Sequence, residues 1–557
     1  MKINKQLDIV INKNSTIHNA LIQLENTKKK HLICVNDNMK LIGVVNDGDI
    51  RRSLIAGNQL DSSVNVAVNH SPVVLNSQTT QKEIEKMLSI RIRIIPIIDE
   101  KNELVGYYDF KEKKSQISIK NRSIAIIGMG YVGLTLGLLL ADSGFKVFGY
   151  DLNSDLIDQL KKSIPPFYEN GLEKYLKLHS NRSIKFIDNI SLLKSDIYII
   201  TVGTPLKKND KKPNIDFITK AAETIGAKIE KGDLVVLRST VPIGCSRNIV
   251  LPILEKKSQL ECGKDFFLSF APERTAEGIA LQELKTNPQI IGSFDRTSYD
   301  LTSRLFSTIT NTVLNVGSLE SSEFAKLIDN SFRDHLFAFS NYLALLAEQL
   351  NINLHEIIDA VNFNYKRNII PKPSPGVGGP CLSKDPHILK SIFEENNIHI
   401  DLINVTREIN ELGPSLIALK LEKLLNQVGK NLKFATKISL IGLAFKGTPE
   451  TSDLRDSTSL FFLELLPNKN NVFAYDPIVA DEEIERLGIK PTSIEDAFMN
   501  ADAVVFLNNH KSYSNIDLLN FLNSMNKPAV VIDTWYNFDP LFFKRQQGII
   551  YGGLGHD

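Results

Sequence analysis

Apolar and polar residues follow three successive rhythms along this chain. Up to about residue 115 a stretch of helical spacing, "TIHNALIQLENTKKK", leads into an apolar strand, "HLICVND", and then into "KLIGVVNDGDIRRSLIAG". The same order recurs in weaker form as "TTQKEIEKMLSIRIR", "IIPIIDE" and "NELVGYYDFKEKK", which predicts a tandem module. A polar stretch, "KEKKSQISIKNR" at 111–122, reads as a linker. From there to about residue 316 the pattern is strand, loop, helix, strand, as in a parallel sheet with crossover helices. Residues 320–365 place apolar side chains at steps of three and four and predict helix. From about 434 the alternation resumes in "TKISLIGLAF", "NVFAYDP", "DAVVFLN" and "PAVVIDTW", which read as buried parallel strands.

Composition narrows the function classes. A chain of 557 residues exceeds what one core accommodates, and 43% hydrophobic with 23% charged residues is ordinary for globular domains. A formal net charge of +1 without a long basic run gives no footing for nucleic acid. The four cysteines, Cys34, Cys245, Cys262 and Cys381, are far apart and form no CxxC pair, which argues against a disulfide framework or a metal site and suits a reducing cytoplasm. The first residues lack the apolar core of a signal peptide, and no uncharged apolar run reaches the roughly 18 residues of a membrane span.

The amino-terminal repeat resembles a CBS-domain pair, with "GVVNDGDIRR" carrying the likeness. That resemblance implies adenine-nucleotide binding, with Asp49 holding ribose hydroxyls. Arg51 and Arg52 beside it read either as reaching a ligand's phosphates or as the solvated charge usual at a helix start. Asn46 stands where Ser or Thr is usual, and Lys111 and Glu112 fall where the second copy would carry its Asp. A nucleotide sensor and a purely assembling module both remain open.

The clearest chemical signal is "SIAIIGMGYVGLTLGLLLADSGFKVFGYDLN". An apolar strand turns through Gly128, Gly130, Tyr131, Val132 and Gly133 into an apolar helix, and the next strand ends at Asp151, 23 residues after Gly128. The glycines permit the tight turn, the approach of a pyrophosphate and close helix packing, while the helix N-terminus offers free N–H groups to phosphate. Asp151 accepts hydrogen bonds from the adenosine ribose and repels a 2′-phosphate, so NAD is expected rather than NADP. Two further strands, ending at Thr204 in "VGTP" and near Thr240 in "STVPIG", deliver small polar residues to the same edge.

The second signal is "GVGGPCLSKDP", residues 376–386. Gly376, Gly378 and Gly379 are expected to leave room for a ligand, and Cys381, close to the start of a helix, is expected to be held toward thiolate. A thiolate adds to an aldehyde, and the adduct can lose a hydride to give a thioester that water cleaves. NAD with a reactive cysteine therefore suggests oxidation through to an acid.

Eight ordered motifs between about 121 and 545, among them "PPFYENGL", "APERTAEG", "EFAKLIDNSF" and "LAFKGTPETSDLRDS", resemble the UDP-glucose/GDP-mannose dehydrogenase family, which oxidises the C6 alcohol of a nucleotide sugar to a carboxylate with two NAD. The resemblance implies α/β architecture: two Rossmann-like doubly wound domains joined by a long helical segment and preceded by the tandem CBS (α+β) module. The expected boundaries are 1–115 for the CBS pair, 121–316 for the NAD-binding domain, 317–430 for the central helical and catalytic-cysteine region, and 431–557 for the UDP-sugar-binding domain. It implies Cys381 as nucleophile, Lys326 stabilising oxyanions with Asn330 beside it, Glu273 activating water, Asp385 orienting the site and Thr240 holding a water. Glu277 and Thr204 are placed with the cofactor, and Gly378, Phe445, Lys446 and Arg455 with the substrate. Arg367 matches an arginine that reaches a neighbouring subunit's site, so at least a homodimer is expected.

"PER" and "PSPGVGGPC" favour a UDP-N-acetylhexosamine (mannosamine or glucosamine), whereas "AEG" and "SKD" lean toward UDP-glucose. The product would be a uronic acid for a surface polysaccharide. Two other classes are weighed: a catalytically inactive nucleotide-sensing scaffold, and a two-electron dehydrogenase of the 3-hydroxyacid type. The latter would need a His–Glu arrangement, for which His335 is the one candidate, and would leave the cysteine loop unexplained.

Overall fold

The computed structural model describes residues 8–27, 31–70, 72–76, 94–109, 119, 121–190, 193–207, 209–399, 401–434 and 437–556. The chain divides into an amino-terminal unit, residues 1–118 with 313–315, and a large unit, residues 119–312 and 316–557.

The amino-terminal unit contains β1 (Val10–Asn12), α1 (Ile17–Thr27), β2 (His31–Val35), β3 (Leu41–Asn46) and α2 (Asp47–Ile55), with β1 parallel and β3 antiparallel to β2. A second antiparallel hairpin, β4 (Ile94–Ile98) and β5 (Leu104–Asp109), carries a parallel bridge from Leu75 to Ile97. The two hairpins repeat in detail at an offset of 63 residues. The Asn36 side chain accepts from the N–H groups of Asn38 (3.0 Å) and Lys40 (2.9 Å), and Asp99 does the same for Lys101 and Glu103, both at 2.9 Å. Met39 and Asn102 share the left-handed backbone at φ 59° and 66°. The turns also bond each other reciprocally, Leu41 N–H to Asn102 O at 3.1 Å and Leu104 N–H to Met39 O at 2.9 Å. Two copies related in this way give a pseudo-two-fold pair, and their buried side chains (Ile33 and Val45 with Ile94, Leu104 and Tyr107) form one core. The expected second-copy helix at 79–93, Lys111, Glu112 and most of the linker lie outside the described residues.

The large unit holds two sheets. The first comprises β6 (Ile124–Ile127), β7 (Val147–Tyr150), β8 (Ile184–Ile187), β9 (Ile197–Ile200), β10 (Leu234–Leu237), β11 (Phe267–Phe270), β12 (Gln289–Ser293) and β13 (Val313–Gly317), in the order β13-β12-β11-β10-β9-β6-β7-β8. Strands β8 to β11 run parallel to one another through β6 and β7, with Ile124 opposite Ile197. β12 joins β11 antiparallel, a departure from the all-parallel expectation. Four-residue strands such as β6 and β9 are buried throughout, which explains their uninterrupted apolar runs. Strand order reverses at β6/β9, so the ligand crevice falls at their carboxyl ends.

The second sheet, β14 (Ile438–Ile441), β15 (Val472–Tyr475), β16 (Lys490–Pro491), β17 (Ala503–Phe506), β18 (Ala529–Asp533) and β19 (Ile549–Gly553), is all parallel in the order β16-β15-β14-β17-β18-β19. Its reversal lies at β14/β17. Between the sheets run the 31-residue helix Leu319–Gln349 and the 26-residue helix Leu402–Gln427, pinned together by a buried Arg407–Asp334 ion pair at 2.8 Å. No helix among the described residues is long and apolar enough to cross a membrane.

Candidate active site

At the first crevice each glycine of the turn has its own reason. Gly128 has φ +100°, and a Cβ there would lie 2.9 Å from the Thr201 backbone. A Cβ on Gly133 would sit 1.9 Å from the Gly128 carbonyl, so helix and turn meet without a side chain between them. A Cβ on Gly130 would meet nothing within 4 Å, which leaves the space over the turn open to a pyrophosphate. Gly130 caps the helix Tyr131–Asp142 without a side-chain bond, so ligand oxygens face no competing cap. Asp151 accepts from Met129 N–H (2.7 Å) and Asn153 N–H (2.9 Å) through different oxygens, and each oxygen retains acceptor capacity for a ribose hydroxyl. These residues fit NAD. Tyr131 turns its hydroxyl the other way, to the buried Glu169, and accepts from Gly278 N–H at 2.7 Å, while Val132 is partly buried in the first turn. The buried Thr204 donates to the Thr240 carbonyl at 2.6 Å and accepts from Lys384 Nζ at 3.1 Å.

Cys381 is the exposed cysteine of the four; Cys34, Cys245 and Cys262 are buried. Gly376, Gly378 and Gly379 line the cleft beside it, and their missing Cβ atoms also let the loop pack closely. A Cβ on Gly376 would come 2.2 Å from the Asn410 carbonyl, one on Gly378 2.5 Å from the Asp456 carbonyl, and one on Gly379 2.7 Å from the Phe445 ring. They press the cysteine loop onto the protein's own helix and second sheet. The helix (Asp385–Glu395) starts four residues after Cys381, whose carbonyl accepts from Asp385 N–H at 2.8 Å. The expected thiolate is not what the free site favours. The thiol opens to the cleft but is walled by protein on its other sides, and this desolvation pushes it up to about 11. Lys326 and Lys384 pull it down, and Asp385 and Glu273 oppose them.

Lys326 is 5% exposed, so it is no solvated surface lysine, and its Nζ lies 3.9 Å from Glu273 Oε2. One turn on, the buried Asn330 donates to Asp385 Oδ2 at 2.5 Å and accepts from Arg333 at 2.6 Å. Asp385 is fully buried, with Lys384 Nζ 3.2 Å from its other oxygen. Cys381, Lys326, Asn330, Glu277, Gly378, Phe445 and Lys446 all line one cleft of about 590 Å³. Lys446 donates to the Glu277 carbonyl at 2.8 Å, and burial lowers its pKa. Arg455 reaches Glu277 at 3.2 Å and also pairs with Asp453. Burial, with Asp453 beside it, raises Glu277, while Arg455 holds Asp453 low. Arg455 borders a second cleft of about 840 Å³ across the cysteine loop, together with Ser383, Lys384 and Pro205.

Glu273, Asp385 and Arg455 meet the cleft through Lys326, Asn330 and Glu277 without lining it, and three further expected residues stand apart. Thr240 meets its neighbours through its carbonyl, Arg367 is exposed, and Asp49 belongs to the amino-terminal unit. Asp49 closes a capping box with Asn46 and pairs with Arg52, while Arg51 pairs with Asp47 at 2.9 Å. Both arginines are exposed and have partners on their own helix. His335 bonds Thr406 Oγ1 at 3.1 Å and has no carboxylate partner there.

Sequence reading missed other members. Arg238 is buried at 2% exposure; its guanidinium donates to the carbonyls of Ala271 (2.9 Å) and Pro272 (3.2 Å), fixing the backbone that leads into Glu273. Glu169 ties Tyr131 to the Gly278 backbone, and Arg407 donates to the Leu382 carbonyl next to Cys381 at 3.3 Å. A charged residue inside an apolar strand run, as in "VVLRST", was the available signal for Arg238.

A glycine turn built for NAD, with an exposed cysteine beside buried lysine, asparagine and carboxylates, marks an NAD-dependent dehydrogenase. The chain belongs to the UDP-glucose/GDP-mannose dehydrogenase family: residues 122–310 match its NAD binding domain, 320–412 its central domain and 439–540 its UDP binding domain. Residues 6–56 match a CBS domain. A UDP-N-acetyl-D-mannosamine dehydrogenase of Pyrococcus horikoshii is 33% identical over 414 residues, covering 74% of this chain and 94% of the relative. One from Campylobacter jejuni is 31% identical over 405 residues, covering 70% and 96%. The solved structure of the Pyrococcus horikoshii UDP-D-ManNAc dehydrogenase superposes with a TM-score of 0.69 at 31% identity, covering 78% of this chain and 99% of that one.

Proposed function

We propose that this chain oxidises the C6 hydroxyl of a UDP-N-acetylhexosamine to a uronic acid, in two two-electron steps joined by a covalent bond to Cys381. The observation that carries the reading is the meeting of the exposed Cys381 with buried Lys326 and Asn330 in one cleft beside the second sheet's carboxyl edge, with the buried Asp385 bonded to Asn330. NAD, when bound, accepts the hydride leaving C6 in each step. Cys381 sulfur adds to the C6 aldehyde, and Lys326 holds the resulting oxyanion. Of the cations at the site, Lys326 lowers the thiol most, so the residue that receives the oxyanion also favours the attacking thiolate. Asn330 and Asp385 fix the cysteine turn against the lysine helix, and Glu273, facing Lys326, takes the proton of the water that cleaves the thioester. Lys446, Phe445 and Arg455 receive the nucleotide half.

The N-acetylhexosamine choice is supported by the UDP-N-acetyl-D-mannosamine dehydrogenases among the relatives above and by "PSPGVGGPC". The product acid would feed a surface polysaccharide, with the reaction in the cytoplasm. The helix Leu319–Gln349 leaves Phe324, Ile328, Phe339, Tyr342, Leu346 and Leu350 exposed at steps that hold one face, which supports a homodimer through that helix. The test of the sugar is a panel of UDP-N-acetylmannosamine, UDP-N-acetylglucosamine, UDP-glucose and GDP-mannose assayed for NADH release. An N-acetylhexosamine is expected to give the highest kcat/KM; UDP-glucose in first place contradicts the choice of sugar.

A further inference from the structure

Trp535 is the single tryptophan of the chain, and it stands two residues beyond β18 on the wall of the 590 Å³ cleft. Thr448 and Asn509, which follow β14 and β17, line the same cleft. These three adjacent strands span the point where strand order reverses, the place at which such sheets receive ligands.

The indole is held rigidly. Its Nε1–H donates to the Leu507 carbonyl at 2.9 Å, and its backbone N–H donates to Asp533 Oδ1 at 3.1 Å. Asp533 is fully buried and also accepts from Asn537 Nδ2 (2.9 Å), Phe538 N–H (3.0 Å) and Tyr551 hydroxyl (3.2 Å), so one carboxylate organises the whole turn. The next residue, Tyr536, has φ +56°, a left-handed conformation that is uncommon for a bulky residue and persists where surroundings enforce it. It directs the Tyr536 ring onto His355, stacked at 4.2 Å and 12°, and its hydroxyl accepts from Asn353 at 3.0 Å. Adjacent aromatic rings are thereby assigned to different tasks, Tyr536 to packing and Trp535 to the cleft. With its one polar atom satisfied, Trp535 offers an aromatic face and nothing else.

We infer that Trp535 packs this face against the nucleoside of the bound nucleotide sugar, stacking on the pyrimidine base. The inference rests on the reading of this cleft as the nucleotide-sugar site. The chemistry is that of rigid aromatic platforms, which recognise a base by its flat face and need no hydrogen bond.

The sole tryptophan makes the test direct. UDP is titrated into the full-length protein while tryptophan emission is recorded, with calorimetry in parallel and inorganic pyrophosphate as the ligand lacking a base. UDP is expected to change the emission saturably, with the Kd that calorimetry gives, and pyrophosphate to leave it unchanged. Trp535→Ala is expected to weaken UDP on the order of tenfold or more and to raise KM for the nucleotide sugar more than it lowers kcat, whereas Trp535→Phe retains most of the affinity. Calorimetric binding of UDP with unmoved emission, or UDP affinity unchanged in Trp535→Ala, overturns the stacking role. Absence of UDP binding to the wild-type protein overturns the reading of the cleft itself.

Discussion

Cys381 faces two opposed demands. It must be reachable, and it is the exposed cysteine; it must also be ionised to attack, and the protein around it pushes the thiol up to about 11. A thiol is neutral in its acid form, so raising its pKa leaves it protonated at neutral pH and confines the thiolate to alkaline solution in the free enzyme. Alkylation of Cys381 by iodoacetamide in ligand-free enzyme should therefore accelerate about tenfold per pH unit from 7 to about 10, read by mass spectrometry of the modified peptide. A rate already level above pH 8 contradicts this. Lys326→Ala should displace that curve to higher pH and lower turnover by on the order of a hundredfold or more. An unchanged rate would leave Lys326 a packing residue. Residue identities were legible because the cysteine, lysine and glycine motifs are short and local. The protonation of Cys381 was not, because it depends on burial of the thiol and then on the charges of Lys326, Asp385, Lys384 and Glu273, several of them far away in sequence. The same holds for Arg238, whose acceptors Ala271 and Pro272 follow the neighbouring strand β11.

Among the elements, the cysteine loop shows what periodicity conveys and what it omits. That residues 376–386 form a loop followed by a helix was readable from their glycines and prolines. What the glycines face was not, since Asn410, Asp456 and Phe445 meet them only in the folded chain. Gly379→Ala should therefore cost activity by shifting the loop against Phe445, with NAD affinity nearly unchanged, because the glycine turn at Gly128–Gly133 is a separate element. Loss of NAD binding in that variant, measured by calorimetry, would contradict the separation. The long helix Leu319–Gln349 carries a different signal. Its apolar positions continue round to an exposed face, more than a buried face requires. Tyr342→Glu with Leu346→Glu should convert a dimer to monomers in sedimentation, and an unchanged oligomer would place the interface elsewhere.

Across the whole molecule, the two α/β sheets and the helices between them were readable as alternating patterns. So was the amino-terminal repeat, whose two turns match to the residue at the 63-residue offset. In the amino-terminal unit Asp49 is engaged by Asn46 and Arg52. Deleting residues 1–115 should leave a folded, active dehydrogenase; a folded but inactive product would show that catalysis depends on the module. The central claim, a four-electron oxidation through Cys381, is tested most directly by the amount of NADH formed when a limiting quantity of the preferred nucleotide sugar is consumed to completion. Two NADH per sugar, with a uronic acid as product, is the predicted result. One NADH per sugar, with an aldehyde or ketone as product, contradicts the account.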